Sequence, residues 1–255
     1  MTVYEITACF EKLFPKETAA AWDSDGLSCC PDGARQVRRV LVALDPTRGA
    51  VDRAVAGGFD LLLTHHPLLF RPLDALTEEK TVPAKLLTLA RAGVAALAYH
   101  TRLDAAKGGV NDVLADLLGV GNAVPFGPEG EIPCGRVGTL RAPVEAADFA
   151  ALVKERLHAP FVRLSGGGTV QKIALCGGEG GDFVEAARAA GADLFLSGRI
   201  GYHRMLDGAE EGIALIEAGH YATEFPVTAY LEELVRRIDP TIKTEIYKTD
   251  VIRTV

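Results

Sequence analysis

The chain has 255 residues, which at roughly 150 residues per domain allows one to two domains with a substantial core. Hydrophobic residues at 48% and charged residues at 24% match ordinary globular usage and exclude disordered, collagenous and disulfide-scaffold classes. The formal charge of −7, from 27 Lys and Arg against 34 Asp and Glu, argues against a nucleic-acid binder that works by broad phosphate neutralisation.

Residues 4–13 place Ile6, Cys9, Phe10 and Leu13 at helical spacing, with Pro15 closing an amphipathic helix. The same N-terminal stretch carries acids early and has no long apolar run, so neither a signal peptide nor a membrane anchor is expected, and no apolar stretch of about 18 residues follows. After turn-forming residues around Gly26 and Gly33, VRRVLVALD reads as a buried strand, TRGAVDRAVAGGFD as a helix, and DLLLTHHP as a second strand. Lys80 to Ala92 gives another helix ending at Gly93, VAALAYH a strand ending at His100, and Asn111 to Leu118 a further helix. Asn122 to Gly130 reads as a loop, and the next stretch as strand, helix (Val144 to Leu157) and strand, closing in the Gly166–Gly168 turn. This alternation predicts mostly parallel sheets covered by helices, because a parallel crossover needs a helix to return the chain.

Residues 37–64 align without a gap on 170–197, with Val37/Val170, Val51/Val184, Ala54/Ala187, Gly58/Gly191, Asp60/Asp193, Leu61/Leu194 and Leu63/Leu196 identical. Further on, 94–105 parallels 213–225, each an apolar strand running into a histidine with a carboxylate four residues later. The match predicts an internal duplication, with α/β halves at 1–125 and 126–255.

In open α/β sheets ligands bind beyond the carboxyl ends of parallel strands. Those ends carry His65 and His66, His100 and Asp104, and His220 and Glu224. Imidazole and carboxylate without thiolate suit zinc, manganese, iron, cobalt or nickel. Taken singly, each motif also fits a solvated turn or a local hydrogen bond; three strand ends with one chemistry point to a metal site. The five cysteines are odd in number and contain no C-x-x-C pair, so disulfides and a cysteine zinc knuckle are not expected, and a reducing, cytoplasmic compartment fits. CGGEGG (176–181) lacks the P-loop lysine and the G-x-G-x-x-G spacing and reads as a tight turn.

The segments AAAWDSDGL (19–27), LLLTHHPLLF (61–70), AYHTRLDAAKGGVND (98–112), CGGEGG (176–181), LSGRIGYHRMLDG (196–208) and EAGHYATE (217–224) together resemble the GTP cyclohydrolase 1 type 2 homologue family, also described as Nif-three-like, dinuclear-metal-centre proteins. The resemblance implies two similar three-layer α/β halves with a metal site in the cleft between them, two divalent ions per subunit, and a ring-shaped homohexamer. It also implies the ligand set His65, His66, Asp104, His220 and Glu224, with Glu224 bridging, His66 and Asp104 on one ion, and His65 and His220 on the other. His100 and His203 become candidates for orienting a ligand or transferring a proton. The family's acid after S/T-G is replaced here by Arg199, which would meet a substrate phosphate or carboxylate or pair with Glu179 or Asp207. The expected activity is metal-assisted hydrolysis of a small molecule, whether nucleotide-like, phosphoester or cyclic amide; the alternative is a metal storage, delivery or scaffold protein.

Overall fold

The computed structural model describes residues 1–252. It divides into two compact units, one comprising Met1–Leu103 with Val227–Thr249, the other Asp104–Pro226 with residues 250–252.

In the first unit, α1 (Val3–Leu13) starts at a capping box in which Thr2 and Glu5 bond each other's backbone N–H, satisfying donors that the first helical turn leaves open. Its buried stripe is Val3, Ile6 and Phe10, whereas Leu13 is exposed. There follow β1 (Gly26–Cys29), β2 (Arg39–Ala43), α2 (Arg48–Ala56), β3 (Leu61–Thr64), α3 (Thr81–Ala92) and β4 (Ala95–Ala98). The turn-rich stretch around Gly26 thus contains a strand. The helix expected from Lys80 begins at Thr81 and ends on Gly93 at φ 71°, a left-handed position suited to glycine. β2, β3 and β4 run parallel and β1 closes one edge antiparallel to β4. Leu41, Ala43, Leu62 and Ala96 pack on one face against Ala50, Val51 and Ala54 of α2 and Leu86 and Leu89 of α3. Their neighbours Val40, Val42, Leu61, Leu63 and Leu97 are buried too. With both faces covered, a strand reads as an unbroken apolar run instead of an alternating one, and each fully buried Leu stabilises the fold by roughly 1.5–3 kcal/mol.

A short helix, α4 (Thr101–Ala105), leads to the second unit: α5 (Val110–Leu118), β5 (Gly121–Phe126), β6 (Gly135–Glu145), α6 (Ala146–Arg156), β7 (Arg163–Ser165), β8 (Thr169–Glu179), α7 (Val184–Ala189), β9 (Leu194–Arg199), α8 (Tyr202–Glu210), β10 (Ala214–Glu217) and α9 (His220–Glu224). The sheet order is β5-β6-β8-β9-β10-β7, with β8, β9 and β10 parallel and the flanking strands antiparallel. Ile173, Leu175, Leu194, Leu196 and Ile216 face α5 and α6, while Ala174, Phe195 and Leu215 face α7, giving three layers. β5 corrects the first part of the expected loop over 122–130, up to Phe126, while 127–130 do form a turn. It is an edge strand, the position where Pro125 can sit without removing a hydrogen bond from the interior of the sheet.

The chain then returns to the first unit through α10 (Val227–Ile238), which lies against β2, and β11 (Lys243–Tyr247), which adds parallel to β2, Arg39 opposite Lys243. The first sheet therefore reads β1-β4-β3-β2-β11. Residues 104–125 pack with the later strands and 227–249 with the earlier ones, so the compact units are a different division of the chain from the halves expected at 1–125 and 126–255. The aligned segments do coincide element for element: β2, α2 and β3 match β8, α7 and β9 in order and direction.

Candidate metal centre

In the first unit Thr64 lies opposite Ala98 across the parallel β3–β4 pair, so the residues just beyond the two strand ends emerge side by side. His65, His66 and His100 gather there with ring centroids 4.8 to 5.5 Å apart. Each ring is held through Nδ1. That of His65, fully buried, lies 2.9 Å from the Tyr99 carbonyl oxygen; that of His66 is 2.7 Å from Asp45 Oδ1; that of His100 is 3.0 Å from Asp23 Oδ1. A carbonyl can only accept, so His65 carries its proton on Nδ1 and presents Nε2; the carboxylates impose the same tautomer on the other two. One nitrogen from each of the three rings lies within 4.8 Å of the others. Carboxylate or carbonyl behind imidazole is the arrangement that orients metal-ligating histidines.

Asp23 also accepts from Thr101 N at 2.9 Å and Thr101 Oγ1 at 2.6 Å. Burial opposes its ionisation, but the hydrogen bonds from His100 and Thr101 outweigh that and hold the carboxyl well below the usual range. Behind this loop the guanidinium of Arg102, 1% exposed, bonds Asp25, Glu11 and the Phe14 carbonyl. Burial disfavours its charge, yet the two carboxylates raise its pKa, so it stays a cation.

The second unit brings together Asp104, His220 and Glu224. The Asp104 and Glu224 carboxylates each offer an oxygen within 4.8 Å of the other, and His220 Nε2 lies 2.9 Å from Glu224 Oε2. Glu224 is 4% exposed and Asp104 half-buried. Backbone contacts place them: Thr223 Oγ1 accepts from Gly178 N, and Asn111 accepts from Gly177 N while donating to the Asp104 carbonyl. Arg136, 2% exposed, bonds Asp112 and the carbonyls of Ala105 and Ala106, holding the end of α4. CGGEGG is part of this packing. Gly178 sits at φ 67°, and a Cβ there would stand 2.1 Å from Glu224 Oε1 and 3.2 Å from His220 Nε2. Burial first, with the charge of Asp104 adding to it, raises the Cys176 thiol well above its ordinary value, so it stands protonated among these groups.

Of the other candidates from sequence, Arg199 ends β9 exposed, 3.6 Å from Glu179 Oε2, and His203 lies in the first turn of α8 with its ring edge-on to Tyr202. Among the described residues, neither belongs to a group of side chains that could hold an ion. Sequence reasoning missed Asp45 and Asp23, which orient His66 and His100. The signal for Asp45 was its place at the carboxyl end of β2, next to β3 in the sheet. Imidazoles in one unit, and two carboxylates with an imidazole in the other, form donor sets suited to a divalent first-row metal ion.

No helix among the described residues is long and apolar enough to cross a membrane. The GTP cyclohydrolase 1 type 2 homolog of Streptomyces coelicolor is 35% identical, covering 96% of this chain and 90% of its own length. The homolog of that name from Clostridium perfringens is 30% identical over 97% of each chain. Among solved structures, the Staphylococcus aureus hypothetical protein SA1388 superposes with a TM-score of 0.90 at 26% identity, covering 100% of this chain and 99% of that one. The family model described as Duf34/NIF3 (NGG1p interacting factor 3) matches residues 1–254, and on that near-complete match the chain belongs to the Duf34/NIF3 family.

Proposed function

We propose that the protein is a dinuclear, divalent-metal-dependent hydrolase acting on a nucleotide-like, phosphoester or cyclic amide substrate. His65, His66, Asp104, His220 and Glu224 would hold the two ions. The observation that carries this reading is the Nδ1 anchoring of the histidines, which leaves Nε2 as the ligand atom each ring presents, with one ligand nitrogen of each ring within 4.8 Å of the others. A solvated His-His turn would not need three separate acceptors. When bound, the ions would supply Lewis acidity and bring the pKa of a water toward neutrality. His100, steadied by Asp23, or His203 would accept and return the proton, and Arg199 would meet the anionic part of the substrate. Five protein ligands for two ions leave positions open for substrate, whereas a storage site would be saturated. The aligned β-α-β segments support descent of both halves from one α/β unit, and the protein would act as a cytoplasmic ring-shaped homohexamer, as the family resemblance implies.

Metal analysis of protein purified without added metal tests the centre. We expect about two equivalents, falling on His66→Ala or Glu224→Ala; less than about one equivalent in the wild type, or unchanged content in the variants, refutes it. Hydrolysis assays over nucleotides, phosphoesters and cyclic amides with Mn, Zn, Fe or Co, against a His65→Ala control, test the activity. Metal binding without turnover above that control would favour storage or delivery.

A further inference from the structure

The chain has one tryptophan, and Trp22 is 63% exposed beside the histidine cluster. Large aromatics are normally well covered, so an exposed one is informative. Phe70, 48% exposed, lies against it with ring centroids 5.9 Å apart and planes tilted by 44°. Both rings meet His100 edge-on, at 5.9 and 5.7 Å. The pair is also held in place. Trp22 precedes Asp23, whose carboxylate takes bonds from His100 and Thr101, and Ala20 N donates to Thr101 Oγ1 at 2.9 Å. Phe70 follows Leu68, which is buried in the core. The result is a corner of two aromatic faces, open to solvent and built on the loop that orients one of the histidines.

We propose that Trp22 and Phe70 form a stacking platform for a planar heteroaromatic ring of the substrate, turning that ring's edge toward the histidine cluster. The proposal rests on the metal-centre reading for the reaction but not for the binding. Such a platform favours flat π-systems over sugars or acyl chains, because every heteroaromatic base has a face to stack. Anchoring the rings beforehand reduces the ordering cost of binding. Among the substrate classes proposed above, it selects the nucleotide-like one.

The lone tryptophan makes the test direct. Full-length protein, metal-loaded and metal-free, is titrated with nucleosides and a pterin while Trp22 fluorescence is followed, with ribose 5-phosphate as the ring-less control. We expect saturable quenching by the ring compounds alone. Phe70→Ala should weaken it by about 5- to 150-fold, the range for loss of one aromatic stacking partner, and Phe70→Tyr should restore it. Calorimetry should show a similar loss for Trp22→Ala and recovery in Trp22→Phe, with metal content unchanged throughout. Absence of saturable quenching, equal competition by ribose 5-phosphate, or undiminished binding in Phe70→Ala overturns the proposal. So does a Trp22→Ala variant that changes oligomeric state while binding rings as before, which would assign the pair to a contact between copies. Failure of the metal centre would appear separately, as low metal content with ring binding intact.

Discussion

Gly178→Ala separates the two things a glycine can do at a site. At φ 67° any L side chain costs about 1–2 kcal/mol of stability, which for a chain of this size lowers Tm by roughly 2–8 °C. The added methyl would also stand 2.1 Å from Glu224 Oε1, about 1.5 Å inside ordinary contact. That oxygen is the far end of a flexible side chain, so relieving the clash adds little to the stability loss but moves the carboxylate. A ligand must stay within about 0.5 Å of its productive position, so affinity should fall by at least about 10- to 100-fold, the loss typical when a ligand's orienting contact is removed. Gly191→Ala supplies the control: its φ is 71°, but its nearest neighbour is Lys172 Nζ at 3.6 Å. Metal competition against a fluorescent chelator, beside thermal melts, should show similar Tm losses and a metal defect in Gly178→Ala alone. Equal metal affinity in the two variants would refute the role given to Gly178.

Asp45→Asn should leave the fold intact and weaken metal binding by about 10- to 100-fold, because the amide no longer fixes the His66 tautomer as an acceptor-only group does; chelator competition reads it, and unchanged affinity would count against the Nδ1 anchoring argument. Asp23, whose carboxyl is held below its ordinary range, contributes stability that is complete above its unfolded pKa of about 3.9 and drains away as pH falls below that value. Urea midpoints of the chelator-treated wild type and of Asp23→Asn should therefore differ at pH 7 and converge toward pH 3; a constant difference would contradict the sign.

The strand ends were legible because a parallel βαβ sheet puts its functional residues at the carboxyl edge, and His65, His66, His100 and His220 are rare side chains at such positions. The acceptors behind them were not. Asp23 reaches His100 from 77 residues away, a pairing that no local spacing encodes. Gly178 was read as a turn because sequence shows that a Cβ is absent but not which side chain fills the space. β5 was read as a loop because Pro125 argues against an interior strand, and edge position is a property of the sheet and not of the segment.

The place of β11 has a consequence for biosynthesis. Its pairing with β2 joins residues near the two ends of the chain, so the earlier-made unit lacks its last strand until the other has been translated. Until then β2 presents a row of unpaired backbone groups, the template on which strands of other chains add. A chain stopped after Pro226 would keep that edge open permanently, and long-range closure of this kind slows folding. Nascent or truncated chains should thus depend on chaperones, or aggregate, more than the finished protein does.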